Sequence, residues 1–305
     1  MLLVTGAAGY VGQHLLKSLG DLSPADAQQI GCVLPTWRNR AMKQQGVQID
    51  LADQEAVSAL FAAHEIAAII HLAAEARTVE CQRNPELARR GNVEATRNLL
   101  QAAESSIQAR PWFLYMSTDM VFRGDAAPYS EDDPRDATSA YGKSKADAEA
   151  LVANYKGPWC IVRPALIYGS AIGDRVSCLA GTLAGIQTGN GRFFTDEIRT
   201  PVYVKDLTSF VLHLLCSGQT GIYHAGGPDQ VSRFEFAQLL AKQWKLNPGD
   251  VHAGRLADSP EHAWRPRDIS LQSHAAHSML PFTPLTSALA EIYETDHNRY
   301  AAQLA

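Results

Sequence analysis

The chain has 305 residues and a mass of 33.2 kDa, too long for one small core and too short for several independent domains. Hydrophobic residues make up 46% and charged residues 19%, a balance that excludes disorder and low complexity. A net charge of −5 gives no general attraction to nucleic acid or to an anionic membrane, so neither is expected as a partner.

Five cysteines (Cys32, Cys81, Cys160, Cys178 and Cys216) lie scattered, without a Cys-x-x-Cys pair, as suits a reducing compartment. No apolar run reaches a membrane span, and a strand beginning at Leu2 leaves no room for a secretory leader. A cytoplasmic location is expected.

In chain order, Leu2–Thr5 reads as a buried strand and Val11–Leu19 as an amphipathic helix. Further strands are expected over Ile30–Leu34, Val47–Ile49, Ala67–Leu72, Trp112–Met116 and Trp159–Val162. Helical spacing covers Gln54–His64, Pro85–Ser105 and Ala140–Tyr155. Strands alternating with helices predict a parallel sheet covered on both faces, an α/β fold of the Rossmann type. After about Pro164 the pattern becomes glycine-rich. Short strands near Tyr203 and over Ile222–His224 alternate with helices over Lys205–Cys216 and Ser232–Trp244. The expectation is a dinucleotide-binding domain over 1–165 and a smaller α+β substrate-binding portion over 166–305 that closes a cleft, with some segments returning to the first domain.

Thr5-Gly6-Ala7-Ala8-Gly9-Tyr10-Val11-Gly12 joins the first strand to the first helix. The first glycine permits the tight turn, the second lets a pyrophosphate approach the backbone, and the third lets helix and strand pack closely. Tyr10 and Val11 open the helix whose N–H groups would meet the phosphates. An NAD-binding Rossmann unit carries an acidic residue about 20 residues further on for the ribose 2′-OH. Here the second strand leads into Thr36, Arg38 and Arg40 instead. These suit a 2′-phosphate, with Arg38 the best placed, which favours NADP(H) over NAD(H). Asp50, followed by Leu51, is placed either for an adenine amino group or as a helix N-cap. Leu72, Ala73 and Ala74 let a cofactor lie close to the fourth strand's end, and His71 reads as a packing residue there.

Tyr141 and Lys145 are four apart, on one side of a helix. An ammonium beside a phenol lowers its pKa and makes Tyr141 a proton donor or acceptor near neutral pH. Thr118 follows the fifth strand, where ligands of open α/β sheets bind, and its hydroxyl can help polarise a carbonyl. His274 and His277 lack a carboxylate partner in the pattern, so no metal site is expected.

Together, Thr5–Gly12, His71-Leu-Ala-Ala74, Asn92, Ser117-Thr-Asp119, Tyr141-x-x-x-Lys145 and Arg163-Pro164 resemble the extended short-chain dehydrogenases/reductases over essentially the whole chain. Within that superfamily, Ser117–Gly124, Arg199–Leu207, Gly221–Gly227, Ser232–Phe236 and Arg265–Leu271 are similar to the dTDP-4-dehydrorhamnose reductase group. The resemblance implies NAD(P)H-dependent reduction of a 4-keto sugar carried on a nucleoside diphosphate. It makes Tyr141 the proton donor, Lys145 the nicotinamide-ribose ligand and Thr118 the carbonyl-polarising hydroxyl. Asn92 and Pro164 join the cofactor site, and Asp119, Arg199 and Arg265 the substrate site, with Arg192 and Arg267 as further cations for the diphosphate. Two stretches depart from the pattern: Met120 replaces a usual aromatic residue, and Arg77–Glu80 differs from the usual substrate-contacting segment.

Two other readings share these motifs. One is a nucleotide-sugar epimerase or dehydratase, which Asp119 beside Thr118 would suit. The other is a non-catalytic NADP-binding subunit resembling the regulatory subunit of methionine adenosyltransferase. The apolar helix Lys205–Cys216 is compatible with a homodimer or a monomer.

Overall fold

The computed structural model describes residues 1–39, 45–106 and 109–302. The chain divides into two compact units. The first comprises Met1–Val121, Ser139–Arg163 and Thr208–Tyr223, and the second Phe122–Thr138, Pro164–Leu207 and His224–Ala305.

The first unit is built on β1 (Leu2–Thr5), β2 (Val33–Trp37), β3 (Val47–Gln48), β4 (Ala68–His71), β5 (Trp112–Met116) and β6 (Trp159–Pro164). With the strand Gly221–Ala225 at one edge, they form a seven-stranded sheet in which β6, β5, β4, β1, β2 and β3 follow in that order. The pairs among β1–β6 are all parallel. The helices are α1 (Tyr10–Gly20), α2 (Pro24–Ile30), α3 (Gln54–Ala63), α4 (Thr78–Arg83), α5 (Pro85–Ala88), α6 (Ala95–Glu104) and α7 (Ala140–Ala153). This is the expected doubly wound fold. Leu3, Ile69, Phe113, Tyr115 and Ile161 from the strands pack with Val57, Leu60, Leu99 and Val152 from the helices. Each such burial contributes roughly 1.5–3 kcal/mol.

Several elements differ from the sequence expectation, among them α4 (Thr78–Arg83), for which the spacing predicts no helix. The second strand runs over Val33–Trp37, not Ile30–Leu34, because Ser23 caps a helix that Pro24 opens and Gly31 ends at φ 72°. Ile30 is therefore the last residue of α2. The expected helix Pro85–Ser105 is interrupted: between α5 and α6, Arg89–Glu94 forms a wider π-helical turn carrying Asn92. Such turns are frequent at functional sites.

The second unit holds short strand pairs and three longer helices, Cys178–Gln187, Arg233–Gln243 and Leu285–Ala302. Ile167–Tyr168 pairs with Val202–Tyr203, Ile198–Arg199 with Val231–Ser232, and Arg192–Phe194 with His252–Gly254. A capping box starts the middle helix: the Ser232 hydroxyl accepts from the Glu235 nitrogen, and the Glu235 carboxylate accepts from the Ser232 nitrogen.

Candidate functional site

The glycine turn leaves β1 with Gly6 in the left-handed region, at φ 68°. A Cβ there would lie 2.6 Å from the Ala73 nitrogen, and one at Gly12 would lie 2.4 Å from the Gly6 carbonyl oxygen. These two glycines are required by close backbone packing. Gly9 differs: the nearest atom to a Cβ there would be the Gly6 oxygen at 3.0 Å. Gly9 is the N-cap of α1, with no side chain capping the helix and no acidic residue in its first turn. A helix N-terminus without a side-chain cap, beside a residue without a side chain, fits a pyrophosphate. Tyr10 and Val11 form the first turn, with the Tyr10 ring against His14.

Thr5, at the end of β1, joins a buried chain of hydrogen bonds. Its hydroxyl accepts from the Ala73 nitrogen at 3.2 Å and meets His71 Nδ1 at 2.7 Å. His71 Nε2 meets the Thr96 hydroxyl at 3.0 Å, and that hydroxyl donates to the Asn92 carbonyl at 2.6 Å. Because Thr96 is committed as a donor, the network assigns the proton to Nε2 of a neutral imidazole. Burial, then the charge of Lys145, pushes the His71 pKa down to about 3. His71 is the strand-end packing residue expected. Leu72 is half-buried and Ala74 exposed beyond it.

At the neighbouring exit, Arg38 follows β2, 43% exposed and 3.7 Å from the Glu75 carboxylate. Thr36, weighed with it for a 2′-phosphate, lies inside β2 at 1% exposure and is unavailable. Arg40 lies outside the described residues. Asp50 is half-exposed; one oxygen accepts from Arg90 at 2.7 Å and the other from the Ala52 nitrogen at 3.1 Å. The N-cap of α3 is Asp53, not Asp50. Leu51 is buried beside it. The Asn92 amide oxygen accepts from the Glu75 nitrogen at 2.7 Å, and its nitrogen donates to the Glu75 carbonyl and the Ser144 hydroxyl. Hydrogen bonds from Arg77 hold the Glu75 carboxyl below the usual carboxylate range.

The candidate catalytic residues gather where α7 lies against the exit of β5. Two consecutive residues are fastened by two successive turns of that helix. Lys145 Nζ donates to the Met116 carbonyl at 2.6 Å. The Ser117 hydroxyl donates to Glu149 Oε1 at 2.5 Å. The Thr118 hydroxyl lies beside the Tyr141 phenol, where it favours the phenolate, and donates to Asp119 at 3.1 Å. Glu149 is locked from β6 by Arg163, whose Nε and terminal nitrogen donate at 3.0 and 2.8 Å, with both side chains at 1% exposure or less. Pro164 ends β6, buried.

The electrostatics reverse one expectation. Burial raises the Tyr141 phenol above its ordinary value, the neighbouring Thr118 hydroxyl opposes that rise, and Lys145, bonded to the Met116 carbonyl, is not among the groups that set it. Lys145 itself is pushed down to about 7 by burial, with Glu149 opposing, and lies 4.0 Å from the centre of the Tyr115 ring. The amine bonds the β5 exit instead of the phenol, so the low-dielectric surroundings decide both pKa values. Tyr141 is a protonated acid in this environment.

In the second unit a cavity of about 190 Å³ is lined by Phe193, Phe194, Arg192, Arg233, Arg265 and Glu197. Arg265 pairs with Glu197 at 3.0 Å. Arg199, expected to meet a diphosphate, is 6% exposed, and its guanidinium donates to the carbonyls of Ile198, Pro266 and Arg267 and to Glu197. The geometry makes Arg199 a scaffold for the 265–268 segment. Arg233, which sequence reasoning missed, lines the cavity and follows the cap residue Ser232; an arginine after a cap is ordinary at the sequence level. Arg192 and Arg267 are exposed.

A glycine turn on the first strand, a parallel doubly wound sheet and a Thr-Tyr-Lys set at the β5 exit define a short-chain dehydrogenase/reductase of the extended type. The chain belongs to the RmlD substrate binding domain family, whose model matches residues 1–297. It is similar to methionine adenosyltransferase 2 subunit beta of Xenopus laevis, 30% identical over 276 residues, covering 87% of this chain and 79% of that protein. A dTDP-4-dehydrorhamnose reductase structure from Clostridium acetobutylicum superposes with a TM-score of 0.81 at 25% identity, over 96% of this chain and 98% of that one. The Bacillus anthracis dTDP-4-dehydrorhamnose reductase, solved in complex with NADP, shares the fold with a TM-score of 0.79 at 22% identity, over 96% and 98% of the two chains. Among the described residues no helix is long and apolar enough to cross a membrane.

Proposed function

We propose that the protein reduces a 4-keto sugar carried on a nucleoside diphosphate, with NADPH as reductant and Tyr141 as proton donor. The carrying observation is that the Tyr141 phenol and the Thr118 hydroxyl lie side by side at a strand exit where Lys145 is fastened to the Met116 carbonyl at 2.6 Å. A protonated acid suits reduction, in which a nascent alkoxide must receive a proton. Gly6, Gly9 and Gly12 with Tyr10 and Val11 would hold the dinucleotide phosphates, Arg38 the ribose 2′-phosphate, and Leu51, Leu72, Ala73, Ala74, Asn92 and Pro164 the remainder of the cofactor. When bound, the nicotinamide supplies the hydride.

Thr118 would polarise the keto oxygen, and Tyr141 would deliver its proton to the same atom. Lys145, held at the β5 exit by the Met116 carbonyl, would bind the nicotinamide ribose. Asp119 would meet the sugar. Arg265, with Arg192 and Arg233, would supply cations for the diphosphate. The test is NADPH consumption with a panel of 4-keto nucleotide sugars. Binding of NADPH without turnover on any of them would refute the reductase reading.

A second reading, a dinucleotide-binding subunit without turnover, is favoured by the similarity to methionine adenosyltransferase 2 subunit beta. It predicts tight NADPH binding that Tyr141→Phe leaves unchanged, and no reduction by the wild type.

A further inference from the structure

Arg38 follows β2, and Glu75 lies four residues beyond the end of β4. β1 runs between those strands, so the contact between Arg38 and Glu75 spans the exit where the glycine turn begins. The segment after β4 rests on that turn, as the approach of Ala73 to Gly6 records. Glu75 is 4% exposed, and its own backbone is held from both sides by Asn92. Arg77 closes the carboxylate with two hydrogen bonds, Nε to Oε1 at 2.8 Å and a terminal nitrogen to Oε2 at 3.0 Å. Arg38 stands at 3.7 Å, beyond hydrogen-bond distance. One buried carboxylate thus has two arginines, one firmly bonded and one held by Coulomb attraction alone.

We propose that Glu75 holds Arg38 in reserve and that Arg77 sets how readily Arg38 leaves for a ribose 2′-phosphate, so that Glu75 and Arg77 determine the preference for NADPH over NADH. The proposal rests on the dinucleotide reading of the glycine turn and on Arg38 as the phosphate ligand. A buried carboxylate stripped of its partners is costly. Arg77 removes that cost: when Arg38 departs, both carboxylate oxygens keep a charged donor. Without Arg77, Arg38 becomes the cation that Glu75 must retain. Without the carboxylate, nothing competes with the phosphate for Arg38, and one nearby negative charge no longer repels it. NADH has no 2′-phosphate and is indifferent to all of this.

The test is a fluorescence titration of NADPH and NADH, with no sugar present, against the wild type, Glu75→Gln, Arg77→Ala and the double variant. Glu75→Gln is expected to tighten NADPH roughly two- to five-fold, the worth of a half-exposed ion pair, and to leave NADH unchanged. Arg77→Ala is expected to weaken NADPH by a similar factor, again without affecting NADH, and to have no effect in the Glu75→Gln background. Weakening that persists in the double variant means Arg77 touches the phosphate itself and overturns the proposal, as does weaker NADPH binding by Glu75→Gln. Should Glu75→Gln fail to fold, Arg77→Ala at its exposed position carries the test against Arg38→Ala. In that background its effect must vanish, and persistence overturns the proposal. Because binding alone is read, a protein that binds NADPH but reduces nothing refutes the reductase reading and leaves this result standing. Failure to bind either dinucleotide overturns both.

Discussion

Replacing Glu149 by glutamine removes one charge and keeps the shape. In the wild type that carboxylate takes three donors, the Ser117 hydroxyl and two Arg163 nitrogens, with the pair buried to 1% exposure or less. The amide keeps one acceptor oxygen and turns an NH₂ group toward the guanidinium. A fully buried arginine then faces a neutral group, and breaking such a pair costs about 3–5 kcal/mol. That is a large share of the roughly 5–15 kcal/mol that holds a typical fold together. Removing the whole motif at once is different. Ser117→Ala/Glu149→Met/Arg163→Met deletes both charges and the hydroxyl while conserving volume, and should return to within about 1–2 kcal/mol of the wild type. Urea unfolding followed by far-ultraviolet circular dichroism measures both variants. A Glu149→Gln cost below about 1 kcal/mol, or a triple variant no more stable than the single one, refutes the reasoning that desolvated charge dominates this motif.

Three further outcomes follow from the site. Tyr141→Phe should lower kcat by roughly 10²–10⁴-fold, the worth of a positioned acid, and leave the NADPH dissociation constant unchanged in a titration without sugar. Lys145 has its folded pKa lowered to about 7 from 10.5. Between those values the unfolded chain binds a proton that the folded chain has released, so this lysine makes stability rise with pH across that window and adds no slope below about 7. The melting temperature of the wild type, relative to Lys145→Met, should rise over the same interval, and a flat difference would remove the buried-amine account. Ser232→Ala opens the capping box and should cost about 1 kcal/mol in denaturant unfolding, with no change in NADPH affinity.

Much of the first unit was legible because its signals are local. Leu2–Thr5 is bounded by glycine, and the spacing of Gly6, Gly9 and Gly12 states its own geometry. The helix bearing Tyr141 and Lys145 follows from an i, i+4 pattern and is capped by Ser139. The second strand starts later than its apolar run suggests because Ser23-Pro24 opens a helix that takes up Ile30, and the strand continues through Pro35 to Trp37. The π-helical turn has no periodic signature, since one extra residue shifts the pattern without breaking its apolar character. The electrostatics were less legible still. The i, i+4 spacing sets Lys145 one turn from Tyr141, but whether an amine meets a phenol or a carbonyl depends on where β5 ends, which is tertiary information. The partnership of Glu75 with Arg77 lies in the same class: two residues apart, they read as ordinary surface charges until Asn92 is seen pulling one of them inside.

The fastening of Met116 and Ser117 by Lys145 and Glu149 resembles a key seated on two wards. The two bonds share one rigid helix, so neither can adjust alone: turning α7 about its axis, or sliding it along β5, breaks register at both wards together. Damage to this site is therefore graded by how far the helix moves and not by which bond is lost. A substitution at a remote α7 position that repacks Ala148 or Val152 reaches Tyr141 as directly as one beside it.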